Sequence, residues 1–195
     1  MNGRALRFAP AWLMGVCAGC ASAPVHYYTL APPPDKASSI SATSFAIDVR
    51  VDHIPPLLNR SELAARTGPA EVTLLENERW ASPVKNEIQN ALRLELQRHM
   101  SALRPVSSRL TIEVDVQRFE AELGQYVLLE AFWSATFGAR AASCAFQADE
   151  KIRDGYSEMI EGYQRALGAF AGTIVEELTS PTNDSGGACQ ESKGH

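Results

Sequence analysis

The chain has 195 residues, with 18 basic and 23 acidic side chains and a formal net charge of −5. That length fits a single domain, and the acidic balance argues against a nucleic-acid partner and against adhesion to anionic lipid through a basic patch. Four scattered histidines (His26, His53, His99, His195) show no H-E-x-x-H or comparable ligand spacing, so neither a metal nor another cofactor is expected.

The first segment of the chain is an export leader. Arg4 and Arg7 form a short basic stretch, and residues 8–19 are uncharged and mostly apolar. This run is shorter than the roughly 20 residues a bilayer span needs, and its flanks are those of a cleaved signal. Small Ala18 and Gly19 stand directly before Cys20. A cysteine so placed resembles the lipobox, in which diacylglycerol is attached to the thiol and cleavage leaves the lipidated cysteine as the new N-terminus. Cys17 stands where that pattern prefers an aliphatic residue. Taking Cys17 itself as the anchor would put bulky Val16 before the cut, so Cys20 is the expected lipidation site. Cys17 and Cys20 also have C-x-x-C spacing, but a redox motif opens a helix after a strand, not the end of an apolar leader.

Several acyl chains, each contributing about 0.8 kcal/mol per buried CH₂, would hold the mature protein at a membrane in the periplasm. Ala21, not Asp, follows the anchor, and resemblance to sorted lipoproteins implies the outer membrane. Loss of Arg4 and Arg7 takes the net charge from −5 to −7. Cys144 and Cys189 remain, and an oxidising compartment permits them to pair; Cys189 lies in a polar tail, and the sequence leaves the pairing open.

Residues 20–44 read as a tether with one short strand, HYYTLAP (26–32), broken by Pro32-Pro33-Pro34. Phe45, Ile47, Val49 and Val51 alternate with Asp48, Arg50 and Asp52, which predicts a half-buried strand stopped by Pro55-Pro56. Residues 61–66 and 71–76 read as two short strands around Thr67-Gly68-Pro69. Ser82 as N-cap and Pro83 at the first helical position open a helix that ends near Met100, with Val84, Ile88, Ala91, Leu92 and Leu96 on its buried stripe.

The clearest alternation follows Pro105: Leu110, Ile112, Val114 and Val116 against Thr111, Glu113, Asp115 and Gln117. A turn at Gly124-Gln125, a strand over 126–137, a turn near Gly138 and a strand over 142–151 complete an antiparallel meander. Asp154 is a plausible cap for a last helix whose stripe runs Tyr156, Met159, Ile160, Tyr163, Leu167, Phe170, Ile174 and Leu178. Residues 181–195 have almost no apolar content, which predicts disorder. The expected organisation is a signal peptide (1–19), tether (20–44), α+β domain (45–180) and polar tail (181–195). The expected fold is a two-layer, mostly antiparallel sheet with both helices packed on one face.

Three segments in this order, IPPLLNRSELAAR (54–66), NERWASPVKNEIQNALRLELQ (77–97) and RLTIEVDVQRFEAELGQYVLLEAFWSA (109–135), resemble the ABC-type transport auxiliary lipoproteins, the PqiC-like family. With the lipobox and the last helix, the resemblance covers about residues 26–180. It implies an outer-membrane-anchored component of an envelope lipid-transport system. The implied partners are an MCE-domain protein and inner-membrane transporter proteins that span the rest of the periplasm, and the implied role is docking and binding, not catalysis. In that family Arg60 and Arg66 flank the short loop strand and Trp80 stands before the helix. Cys17, Cys144 and the long polar tail are departures.

An enzyme finds no support in the residues: no G-x-S-x-G elbow, no phosphate-cradling glycine loop, and acidic pairs that read as solvated faces. A scaffold or assembly lipoprotein for cell-wall or lipopolysaccharide machinery is the alternative. Arg60, Arg66 and Trp80 are the candidate partner-binding residues, since Trp and Arg are enriched at interface hot spots. The preferred reading of Trp80 and Arg60 is structural: Trp80 plugs the junction between loop and helix, and Arg60 pairs with a nearby carboxylate. A homo-oligomer through edge strands or the 59–66 loop is a further expectation.

Overall fold

The computed structural model describes residues 23–33, 46–101 and 109–180. The leader, Cys20, most of the tether and the tail with Cys189 lie outside the described residues. Seven strands and two helices follow in the order β1 (His26–Tyr28), β2 (Ile47–His53), a 3-10 turn (Pro56–Leu58), β3 (Glu62–Gly68), β4 (Glu71–Trp80), α1 (Val84–Met100), β5 (Leu110–Glu122), β6 (Tyr126–Phe137), β7 (Arg140–Lys151) and α2 (Tyr156–Thr179).

The strands form one sheet in the spatial order β1-β4-β3-β5-β6-β7. Its two longest ladders, β5 with β6 and β6 with β7, are antiparallel, as is β3 with β4. Three pairings are parallel: β1 on β4, β2 along the first half of β5, and Arg66 of β3 beside Glu122 at the far end of β5. One edge of β5 is thus shared by two strands. A bulge between Val116 and Arg118 shifts the register between those halves, so that Phe119 and Ala121 keep the buried side begun by Leu110, Ile112, Val114 and Val116.

Both helices cover one face of this sheet, α1 over β2 and α2 over β6 and β7, and they pack on each other. Val127, Leu129, Ala131, Trp133 and Ala135 of β6 alternate into the layer under the helices. Two aromatic groups fill the layer. Phe119 stacks on Tyr163 at 3.9 Å between ring centroids with Trp80 tilted against both. Phe146 stacks on Phe170 at 4.5 Å with Trp133 edge-on. Each such fully buried apolar side chain contributes roughly 1.5–3 kcal/mol, and the layer between sheet and helices is occupied by side chains rather than open space.

Glycines set two tight features. The β5–β6 turn uses Gly124 at φ 74°, a conformation a Cβ disfavours. At Gly162 a Cβ would lie 2.6 Å from Ile152 Cγ2 and 3.1 Å from Val127 Cγ2, so α2 approaches the sheet as closely as a side-chain-free position allows.

Three local expectations are corrected. Ser82 does not cap α1 through a backbone N–H: the helix enters from Pro83, and the Ser82 hydroxyl donates to the Glu87 carboxylate at 2.6 Å. Asp154 does not cap α2: its Oδ1 accepts from the N–H of Gly155 at 2.9 Å, and Gly155, at φ 116°, is the residue that turns the chain into the helix. The strand expected over 71–76 runs on to Trp80, because β1 pairs with its last three residues and supplies the missing neighbour. Cys144, on β7, is disulfide-bonded; the chain's other cysteines, Cys17, Cys20 and Cys189, lie outside the described residues.

Candidate docking surfaces and the anchor clamp

Strand β1 starts at His26, only six residues beyond Cys20, a stretch that spans at most about 20 Å. The segment after it is tied down by polar contacts that local sequence does not reveal. The buried carboxylate of Glu87, in the first turn of α1, accepts from Thr29 Oγ1 at 2.8 Å, from the Leu30 N–H at 3.0 Å and from Ser82. On α2, Gln164 Nε2 donates to the carbonyls of Thr29 and Ala31, each at 3.3 Å. Leu30 itself is buried in the core.

At the start of this clamp Glu78 sits next to His26 Nδ1, 3.1 Å away, and the Tyr28 hydroxyl. Burial pushes the Glu78 carboxyl up, but hydrogen bonds from Tyr28 and His26 outweigh it and hold the group below the usual carboxylate range. Burial and the Glu78 charge together push the Tyr28 phenol up to about 12. An open groove of about 700 Å³ runs between this segment and the helices, lined by Tyr27, Thr29, Arg98, Gln164 and Arg165 among others.

A second polar cluster lies where β3 meets the last residues of β5, and it contains Arg66. Its guanidinium donates to Glu120 Oε2 at 2.8 Å and to the carbonyls of Gly68 at 3.3 Å and Pro69 at 3.0 Å. It therefore holds the β3–β4 turn and joins β3 to β5. Glu120 also accepts from Arg118 at 2.6 Å and from the Tyr126 hydroxyl at 3.2 Å, and Arg118 reaches Glu130 at 3.1 Å. Burial raises the Glu120 carboxyl, but hydrogen bonds from Arg66 and Arg118 prevail and hold it below the usual range.

The candidate residues thus separate. Arg60 is exposed in the loop before β3, its N–H bonded to the Leu58 carbonyl at 2.7 Å and its charge near Glu62. Arg66 is half-buried and engaged with Glu120. Trp80 is not on the surface: at 6% exposure it belongs to the aromatic core, although its backbone N–H bonds the Ser61 carbonyl at 2.8 Å. A residue at a strand end has two faces to choose from, and the indole takes the apolar one beside Phe119 and Tyr163. Cys20 lies outside the described residues. The partners that sequence reasoning missed, Glu87 and Glu120, are 58 and 54 residues from Thr29 and Arg66, and no local pattern links such positions.

Among the described residues no group of His, Cys, Asp and Glu could hold a metal ion, and no helix is long and apolar enough to cross a membrane. Residues 28–175 match the family described as the ABC-type transport auxiliary lipoprotein component. The chain belongs to that family. It is therefore an auxiliary lipoprotein of ABC-type transport in the cell envelope, as the three ordered segments implied.

Two crystal structures share the fold. One, of an uncharacterized protein, is 21% identical with a TM-score of 0.63, covering 80% of this chain and all of that one. The other, protein XCC0632 from Xanthomonas campestris, of the DUF330 family, is 17% identical with a TM-score of 0.53, covering 78% of this chain and 93% of that one. No curated protein matched the chain.

Proposed function

We propose that this auxiliary lipoprotein, lipidated at Cys20 and sorted to the periplasmic face of the outer membrane, serves an MCE-type lipid-transport system by docking its components, not by catalysis. The observation that carries this is the clamp: the chain joins the sheet at His26, and Glu87 and Gln164 pin the segment after it across both helices. A lipid anchor followed by at most about 20 Å of slack holds a rigid domain close against the membrane. That geometry suits a docking point for a partner crossing the periplasm. Side chains such as Tyr163, Phe170, Leu167 and Leu129 fill the layer between sheet and helices, so an acyl chain has no room there, and binding to partners accounts for the structure better than lipid carriage does. The Glu78 and Glu120 carboxylates are each held by hydrogen bonds from neighbouring strands, an arrangement that stabilises the fold.

Co-purification from detergent-solubilised envelope tests the proposal. Recovery of an MCE-domain protein with its inner-membrane transporter components is expected, and Cys20→Ser should abolish both detergent partitioning and recovery. Cell-wall or lipopolysaccharide enzymes in place of an MCE-domain protein would favour the assembly-scaffold alternative. Self-association through the 59–66 loop belongs to the same proposal: light scattering on the lipid-free Cys20→Ser protein should show an oligomer that Arg60→Glu disrupts. A strict monomer at high concentration would remove it.

A further inference from the structure

One face of the sheet lies under the helices and the other faces solvent. On the solvent face Phe132, in the middle of β6, is 57% exposed. Its cross-strand neighbours are Asp115 of β5 and Ala145 of β7. The same face carries Ser134 and, opposite it, Ser143, so the ring stands among short side chains. An isolated chain gains nothing from a large aromatic held in water, whereas buried aromatic anchors dominate many interfaces.

The charges around Phe132 select what can cover it. Arg50, Arg66 and Arg118 on this face are each paired with a carboxylate of the same face, namely Glu113 at 3.6 Å, Glu120 at 2.8 Å, and Glu120 and Glu130 at 2.6 and 3.1 Å. Asp48, Asp115 and Asp149 have no ion-pair partner among the described residues, and Asp115 Oδ1 is buried without a hydrogen-bond partner there. Lys151 stands at the far corner, opposite Tyr126. The uncompensated charge near the exposed ring is negative. A second copy laid face to face would set these carboxylates against themselves, and an anionic lipid surface would be repelled.

We infer that the solvent face of the sheet, centred on Phe132, docks a basic surface of a protein partner, which on the function proposed above belongs to the MCE-domain component.

Photocrosslinking in intact cells tests this, with p-benzoylphenylalanine at position 132 of the full-length lipoprotein and, as a control, at exposed Asn90 on α1. A crosslink from 132 and not from 90, to a Lys- or Arg-rich peptide of the MCE-domain protein, is expected and supports both readings. A Lys- or Arg-rich contact peptide from a different envelope protein supports the docking face and overturns the MCE assignment. A second copy, lipid, an acidic contact peptide, or no crosslink from protein still lodged in the membrane overturns the docking face. With purified full-length lipoprotein and the partner's periplasmic region, Phe132→Ala should weaken binding about thirty-fold. Asp48→Asn with Asp149→Asn should weaken it further and flatten its salt dependence. Unchanged affinity in both variants, with the circular-dichroism melt intact, overturns the inference.

Discussion

Glu87 shows how much one side chain can organise. Its carboxylate is buried and accepts from Ser82, Thr29 and the Leu30 backbone. Glu87→Ala would leave the Leu30 N–H buried without a partner, and the expected loss is about 2–3 kcal/mol by urea denaturation. Glu87→Gln, which keeps one carbonyl acceptor, should lose less. Glu120 makes a pH-dependent contribution of definite sign. Its folded value lies below the ordinary one, so the stability it adds is fully present above the usual carboxylate range, about 4.3. That stability is lost as pH falls from there through the lower folded value. Thermal melts from pH 7 downward should show wild type losing more stability below about pH 4.3 than Glu120→Gln, with the two curves converging at the acid end. At this scale the sequence was a partial guide. Arg66 enters only through the family resemblance, as a residue flanking the loop strand, and nothing local points to its partner Glu120. Trp80 stands before α1 in that resemblance, yet nothing local says which side of the strand end it takes. Phe132 and Trp133 are adjacent aromatics in one strand, and which is buried follows only from the register with β5.

Elements were far more legible than their arrangement. Alternation in 110–116 and the three-four stripe of α2 predicted strand and helix because burial on one face imposes those periods. The parallel pairings of β1 on β4 and β2 on β5 were not predictable, since a strand's period is the same whichever neighbour it takes. Helix packing distance was hidden as well, because it depends on glycines that a hydrophobic stripe ignores. Gly162 and Gly172 separate the two effects. Gly162→Ala forces a Cβ to 2.6 Å from Ile152, and a loss of about 1–3 kcal/mol is expected from overpacking. At Gly172 the nearest atom, 3.3 Å away, is Cε1 of the His99 ring at the end of its side chain. There the helix propensity of alanine, up to about 1 kcal/mol, should leave the variant neutral or more stable. Calorimetric melts of the pair check both signs.

For the whole molecule, the disulfide of Cys144 settles what composition left open about that thiol. If Cys20 carries acyl chains and Cys17 leaves with the leader, Cys189 is the cysteine left to join it. Non-reducing peptide mapping of the mature protein should therefore yield a Cys144–Cys189 linked peptide that separates on reduction; free thiols at both positions would refute this. Such a link would bind the polar tail to β7, at the opposite edge of the sheet from β1.

The clamp on residues 29–31 also has a mechanical consequence. If Cys20 is the anchor, as proposed, a pull between the membrane and a bound partner would enter the sheet at His26 and pass first into the three-residue pairing of β1 with β4. Behind it stand the Glu87 and Gln164 contacts and buried Leu30. Tension is thereby delivered to both helices and to β4 together, and not to a single loop. If the clamp gives way, β1 and residues 29–31 leave the domain first, while the β5–β6–β7 meander stays closed. The lipoprotein would then lengthen as a leash before it unfolded as a domain.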